Sequence, residues 1–190
     1  MLTITPLETI TPVLLRELIT GYKSEGKYEV IYAETAVETS FILRYQPLPA
    51  AITRRYEHLD DPHTVQLYQK AAGQGFSFLA RLAGKPAGLL IADVQAWNHS
   101  VWVWEFHVAE PYRRQGIGRQ LMQSLEKKAR QADLRTIVCE TQNVNAAAID
   151  AYRRLGFHLQ GVDIAYYTNE DYPHGDIAVF MKKPLPRVKG

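Results

Sequence analysis

A single cysteine, Cys139, leaves this 190-residue chain unable to close a disulfide on itself. Its stability must therefore come from a packed core rather than covalent staples. Cys139 lies in a β-patterned run and reads as a small buried hydrophobe, not a nucleophile. Histidine is sparse as well, and the six present lack the spacing of a ligand cluster, so no metal is expected. Excess charge of one sign is missing: the formal net charge of +2 gives no reason to expect a nucleic-acid partner. Basic residues gather between Arg113 and Arg135, but Glu126 and Asp133 interrupt them, as on a solvated helix face. No apolar run approaches a membrane span, and the N-terminus lacks a signal peptide's charged and apolar regions. The expectation is a cytoplasmic protein with no membrane partner. No repeat or low-complexity segment interrupts the chain. What is present, 46% apolar and 22% charged residues, suits one domain with a sizeable core.

Periodicity locates the elements. Thr11-Pro12 opens a helix through Leu14, Leu15, Leu18 and Ile19 that Gly21 ends. Residues 27–34 and 37–46 read as a strand pair, and 63–73 as a helix after Asp61-Pro62. Residues 76–82 and 87–94 form a hairpin around Gly84-Lys85-Pro86. A strand over 101–108, a helix over 116–132, a strand over 135–141 and a helix over 145–155 follow. Strands over 157–167 and 176–183 close the domain. The fold class is thus α/β: a central, mostly antiparallel sheet with helices on both faces. The residues from Pro184 to Gly190 read as a frayed tail.

Two segments carry chemistry. The first is Arg113-Arg114-Gln115-Gly116-Ile117-Gly118. It sits between a β-branched, aromatic strand and a helix with an apolar stripe at Ile117, Leu121, Leu125 and Ala129. Its glycines admit close backbone approach, and amide N–H groups at a helix start attract phosphate. A solvent-exposed strand-to-helix loop is the plain alternative. The second segment runs from Asn145 to Phe157.

Together these resemble the GCN5-related N-acetyltransferase (GNAT) superfamily. The first fits its Arg/Gln-x-x-Gly-x-Gly/Ala signature. The second fits Asn-x-x-Ala-(apolar)-x-x-Tyr-x-x-x-Gly-Phe through Asn145, Ala148, Ile149, Tyr152, Gly156 and Phe157. The resemblance implies one acetyltransferase domain over 1–183, acetyl-CoA as co-substrate, and two central strands that splay around it. It implies cofactor contacts from Arg113, Arg114, Gln115, Gly116, Ile117, Gly118 and Arg119, and from Asn145, Ala148 and Tyr152. A main-chain N–H of His107 or Val108 would polarise the thioester carbonyl. Tyr152 would protonate the departing thiolate, since a phenol of pKa ~10 suits a thiolate of pKa ~8.5. Packing of the helix by Tyr152, and a helix cap by Asn145, are alternatives.

Glu105 is the candidate base. At period two it shares a face with Val103 and His107, opposite Trp102, Trp104, Phe106 and Val108. It either takes the ammonium proton or only attracts a cationic substrate. His107 reads as a supporting group.

The run Glu140-Thr141-Gln142-Asn143-Val144-Asn145, with Gly161-Val162-Asp163 and Tyr166, looks like the streptothricin acetyltransferase branch. So do Gly21 to Tyr28 and Ile177 to Phe180. That branch acetylates an amino group on the β-lysine arm of streptothricin. Glu140, Asp163 and Tyr166 are therefore candidates for binding a small cationic amine. Glu170, Asp171 and Asp176, with Tyr167 and Tyr172, are further candidates to line that site by charge and cation–π contact, and Glu34 and Glu38 are further acidic candidates. An ordinary solvated loop is the alternative. Acetylation of a protein N-terminus, a polyamine or another metabolite amine, and a non-catalytic acyl-CoA-binding module, remain competing functions. The chain is expected to be a monomer or homodimer.

Overall fold

The computed structural model describes residues 1–57, 59 and 61–186. In chain order it contains β1 (Leu2–Pro6), α1 (Pro12–Leu18), β2 (Tyr22–Glu34), β3 (Thr39–Arg54), α2 (Pro62–Ala72), β4 (Phe78–Leu82) and β5 (Lys85–Gln95). Then come β6 (Ser100–Val108), α3 (Ile117–Gln131), β7 (Thr136–Gln142), α4 (Ala146–Arg154), β8 (His158–Asp163) and β9 (Ala178–Pro184). Pairing is mostly antiparallel, and the fold is the mixed α/β class expected. The elements build two compact units. One holds Met1–Thr20, Arg55–Cys139 and the chain from Lys183; the other holds Gly21–Arg54 and Glu140–Lys182.

In the first unit the strand order is β1-β4-β5-β6-β7. β1 is an element that the hydropathy pattern does not mark. It is short, and its antiparallel ladder on β4, Leu2↔Leu82 to Pro6↔Phe78, is a non-local pairing. Helix starts follow local chemistry. Thr11 accepts from the Leu14 N–H at 3.1 Å and Asp61 from the Thr64 N–H at 2.9 Å, each with proline in the first turn. Such caps satisfy otherwise orphaned donors. Leu15 and Leu18 of α1, Tyr68 and Ala71 of α2, and Leu89 and Ile91 of β5 belong to one buried cluster.

The register of β6 corrects one expectation. Ile91 faces Glu105 but Ala92 faces Val103, so Trp104 is an extra residue on β6. This bulge shifts the side-chain phase. Glu105 and His107 lie opposite Ile91 and Leu89, on the face of the α1–α2 cluster. Val103 pairs with Ala92 on the other face, not with Glu105, and Trp102, opposite Asp93, joins the face of Glu105. The parallel β6–β7 ladder runs from Ser100↔Thr136 to Val103↔Cys139. β6 continues past it to Val108.

In the second unit β2 and β3 form a two-stranded antiparallel ribbon, longer than the 27–34 and 37–46 expected. β8 ends at Asp163 rather than reaching 167. Asn143, buried at 5% exposure, fastens the unit. It exchanges main-chain and side-chain bonds of 2.8 Å with Tyr28 and with Ile177.

The expected tail also needs correction. Pro184 closes β9, and buried Leu185 donates its N–H to the Arg135 carbonyl at 2.8 Å. Packing thus extends past 184, while 187–190 lie outside the described residues. No helix among the described residues is long and apolar enough to cross a membrane.

Candidate active site

The basic-glycine turn sits where expected. After β6 a 3₁₀ turn, Glu110–Tyr112, leads to Arg113, to Arg114 at φ +61°, and to Gly116 at φ +81° as the N-cap of α3. Gly116 has no Cβ to resist the left-handed conformation, and open space surrounds the place a Cβ would occupy. Gly118 answers a different need: a Cβ there would lie 3.2 Å from Phe106 Cζ, so α3 packs tightly on β6.

No side chain caps α3 and its first turn carries no acid. The first N–H groups of this 15-residue helix and its positive dipole end are therefore presented beside exposed Arg114, Gln115 and Arg119. That arrangement fits a diphosphate. Arg113 has a bracing part, since its Nε donates to the Val108 carbonyl at 3.1 Å.

The ladder also separates the two candidate amides. The Ala109 N–H donates to the Ala87 carbonyl at 2.9 Å. Hydrogen-bonded and non-bonded pairs alternate in an antiparallel ladder, so His107, opposite Leu89, turns its N–H toward β5. Val108, opposite Gly88, turns its N–H away from β5.

On the opposite face of β6 the candidate base is held at both oxygens. The Tyr68 hydroxyl donates to Glu105 Oε1 at 2.5 Å, and Glu105 Oε2 lies 2.6 Å from His107 Nε2. The Glu105 and His107 side chains are 15% and 17% exposed. Burial and the adjacent Glu105 carboxylate push the Tyr68 phenol far above its usual value, so it remains a donor. The Tyr56 ring stands edge-on to His107 at 5.8 Å. No local sequence pattern ties Tyr68 or Tyr56 to β6; only the fold brings them beside Glu105 and His107.

The second unit gathers Asn145, Ala148 and Tyr152 on α4. Asn145 Oδ1 accepts the Ala148 N–H at 3.1 Å, so this side chain is a helix cap. Tyr152 is buried, its ring 5.4 Å from that of Phe157.

The substrate candidates Glu140, Asp163 and Tyr166 also come together. The Tyr167 hydroxyl donates to Glu140. Burial, then Glu140 and Asp163, raise the Tyr166 phenol. Tyr166 packs edge-on to Tyr167 and Phe180 at 5.2 and 5.4 Å. Two acids are otherwise engaged. Asp171, 3% exposed, accepts the Tyr167 and Thr168 N–H groups at 2.7 and 2.9 Å, and Asp176 faces Arg54 at 3.5 Å.

Tyr22 donates to Gln142 Oε1 at 2.7 Å. Burial, reinforced by Asp176 and opposed by Arg54, pushes its phenol up to about 12 from an ordinary ~10. The folded state favours the neutral phenol. Its contribution to stability is therefore complete below pH ~10 and is lost as pH rises toward about 12. Tyr22→Phe is expected to lose less unfolding free energy than wild type across that interval in denaturant titrations. Identical losses in the two proteins would contradict the assignment.

The family model described as Acetyltransferase (GNAT) family matches residues 43–157. Over 103 residues the chain is 38% identical to the streptothricin acetyltransferase of Streptomyces lavendulae, with 54% of each chain aligned. It thus spans about half the length of that curated relative. The crystal structure of a nourseothricin acetyltransferase is similar at TM-score 0.74 and 29% identity, covering 97% of this chain and 99% of that one. A Bacillus anthracis protein solved in complex with acetyl coenzyme A shares the fold at TM-score 0.74 and 20% identity, covering 97% and 99%.

Proposed function

The chain belongs to the GNAT acetyltransferase family, and from that membership we propose that it moves the acetyl group of acetyl-CoA to a primary amine of a small cationic acceptor. The acceptor that fits best is streptothricin, at an amino group of its β-lysine arm. One observation carries the activity: a carboxylate fixed at both oxygens, Glu105, on the strand that leads directly into the uncapped start of α3. The identity to the Streptomyces lavendulae enzyme supports the choice of acceptor. In this reading residues 1–183 act as one catalytic domain.

When bound, acetyl-CoA supplies an acetyl group activated as a thioester. The N–H groups of Ile117, Gly118 and Arg119 and the α3 dipole hold its diphosphate, with Arg114 adding charge. Arg113 keeps the end of β6 in place, and the Val108 N–H donates to the carbonyl oxygen as charge grows there. Glu105 takes the proton of the incoming ammonium, directly or through water, because only a neutral nitrogen attacks. Tyr152 returns a proton to the departing sulfur. Glu140, Asp163 and Tyr166 attract the remaining positive charges of the acceptor by charge and cation–π contact. The amine attacks directly, and Cys139, fully buried, forms no acyl adduct.

Incubating the chain with streptothricin and acetyl-CoA is expected to add one acetyl group per drug molecule by mass spectrometry, matched by one released thiol. Acetylation only of a peptide N-terminus or a polyamine would move the acceptor elsewhere. Cofactor binding in calorimetry with no turnover on any amine would make the chain a binding module instead.

A further inference from the structure

The outer edge of the β2–β3 ribbon has no strand beside it among the described residues. Most of its residues are exposed. A lone two-stranded ribbon is marginal in water, and an open strand edge is a template for another chain. Apolar side chains crowd this one: Phe41, Ile42 and Tyr45 are 41%, 50% and 50% exposed.

The direction of its main-chain groups follows from β2. The Tyr28 N–H and carbonyl both engage Asn143 at 2.8 Å, and the Tyr32 N–H donates to the Tyr172 hydroxyl at 3.4 Å. Tyr28 faces Tyr45 and Tyr32 faces Phe41, so these are non-hydrogen-bonded pairs of the ribbon. By alternation Thr39, Phe41, Leu43 and Tyr45 turn their N–H and carbonyl groups outward. Pro47 and Pro49 continue the same phase and have no N–H to offer. The competent edge is therefore 39–45.

We propose that this edge pairs antiparallel with the same edge of a second copy of the chain, centred on Phe41. Thr39, Phe41 and Leu43 then exchange main-chain bonds with Leu43, Phe41 and Thr39 of the second copy, outward groups meeting outward groups. Exposed Glu38 falls opposite exposed Arg44 of the second copy, and the two-fold axis repeats the pair. These are the more closely spaced, non-bonded positions, where opposite charges help most. Charge selects this register: centring on Glu38 or on Arg44 sets like charges opposite one another. Proline does not intrude, because the second copy's strand reaches its turn before Pro47. The result is a continuous four-stranded sheet in which Phe41, stacked on Tyr32 at 5.0 Å, meets its own symmetry mate.

The test uses sedimentation equilibrium of the full chain, with circular dichroism to confirm folding. Wild type is expected to dimerise. Glu38→Arg alone and Arg44→Glu alone should each weaken dimerisation at least ten-fold, and the double exchange should restore it. A wild type that stays monomeric at every soluble concentration overturns the proposal and leaves the edge to a different extended peptide. A dimer that both single variants leave intact overturns it equally, by placing the interface on another surface.

Discussion

Glu105→Gln is expected to lower kcat by about 10²- to 10⁴-fold, the usual worth of a positioned general base, while the Kd of acetyl-CoA stays the same. The amide matches the carboxylate in shape and keeps an acceptor oxygen for Tyr68, so the contacts at 2.5 and 2.6 Å that fix the side chain can largely persist. What disappears is the negative charge and with it the capacity to take a proton. Steady-state kinetics distinguish the two roles open to this residue. If Glu105 only attracts a cationic acceptor, the KM for the amine rises and kcat survives. An unchanged kcat in a variant with native melting would remove Glu105 from the chemistry. The turn proposed to hold the diphosphate is formed by other residues, so cofactor affinity serves as the internal control.

Gly116→Val should produce the complementary defect. At φ +81° a left-handed conformation costs an L-residue roughly 1–2 kcal/mol, and β-branching adds to it. Since open space surrounds the missing Cβ, the penalty is one of backbone conformation rather than collision. The turn can escape it only by rotating the peptides at the start of α3, which removes the N–H groups from a common target. Acetyl-CoA Kd is expected to weaken at least ~10-fold, equivalent to about 1.4 kcal/mol, with kcat at saturating cofactor little changed. Calorimetry checks this directly. An unaltered Kd would mean that the diphosphate is held elsewhere.

The elements that sequence alone located are those written in local chemistry. The stripe of α3, the caps Thr11 and Asp61, and the glycines at 116 and 118 each depend on residues within a turn of one another. The shared face of Glu105 and His107 was also legible, because both lie on the same side of the irregularity in β6. Val103 was misplaced because a bulge at Trp104 is set by the partner strand, where Ile91 and Ala92 face Glu105 and Val103. β1 went unread for a similar reason, its order coming from β4. Among the acids of the 158–180 segment, composition treated all as open to a substrate. The structure spends Asp171 on the N–H groups of its own loop and sets Asp176 beside Arg54.

Sequence by itself carried the two short motifs that resemble the family, and it placed the basic-glycine turn between a strand and a helix, because both are written in residues close together along the chain. Tertiary structure decided which of those groups act on one another. Tyr68, 37 positions before Glu105, reaches its carboxylate because α2 packs against β5, on the face of the sheet that Glu105 shares with Ile91. The Val108 N–H, rather than that of His107, faces away from β5 because a hydrogen-bonded ladder fixes which peptides point inward. Such choices depend on long-range contacts, and no local run of residues encodes them.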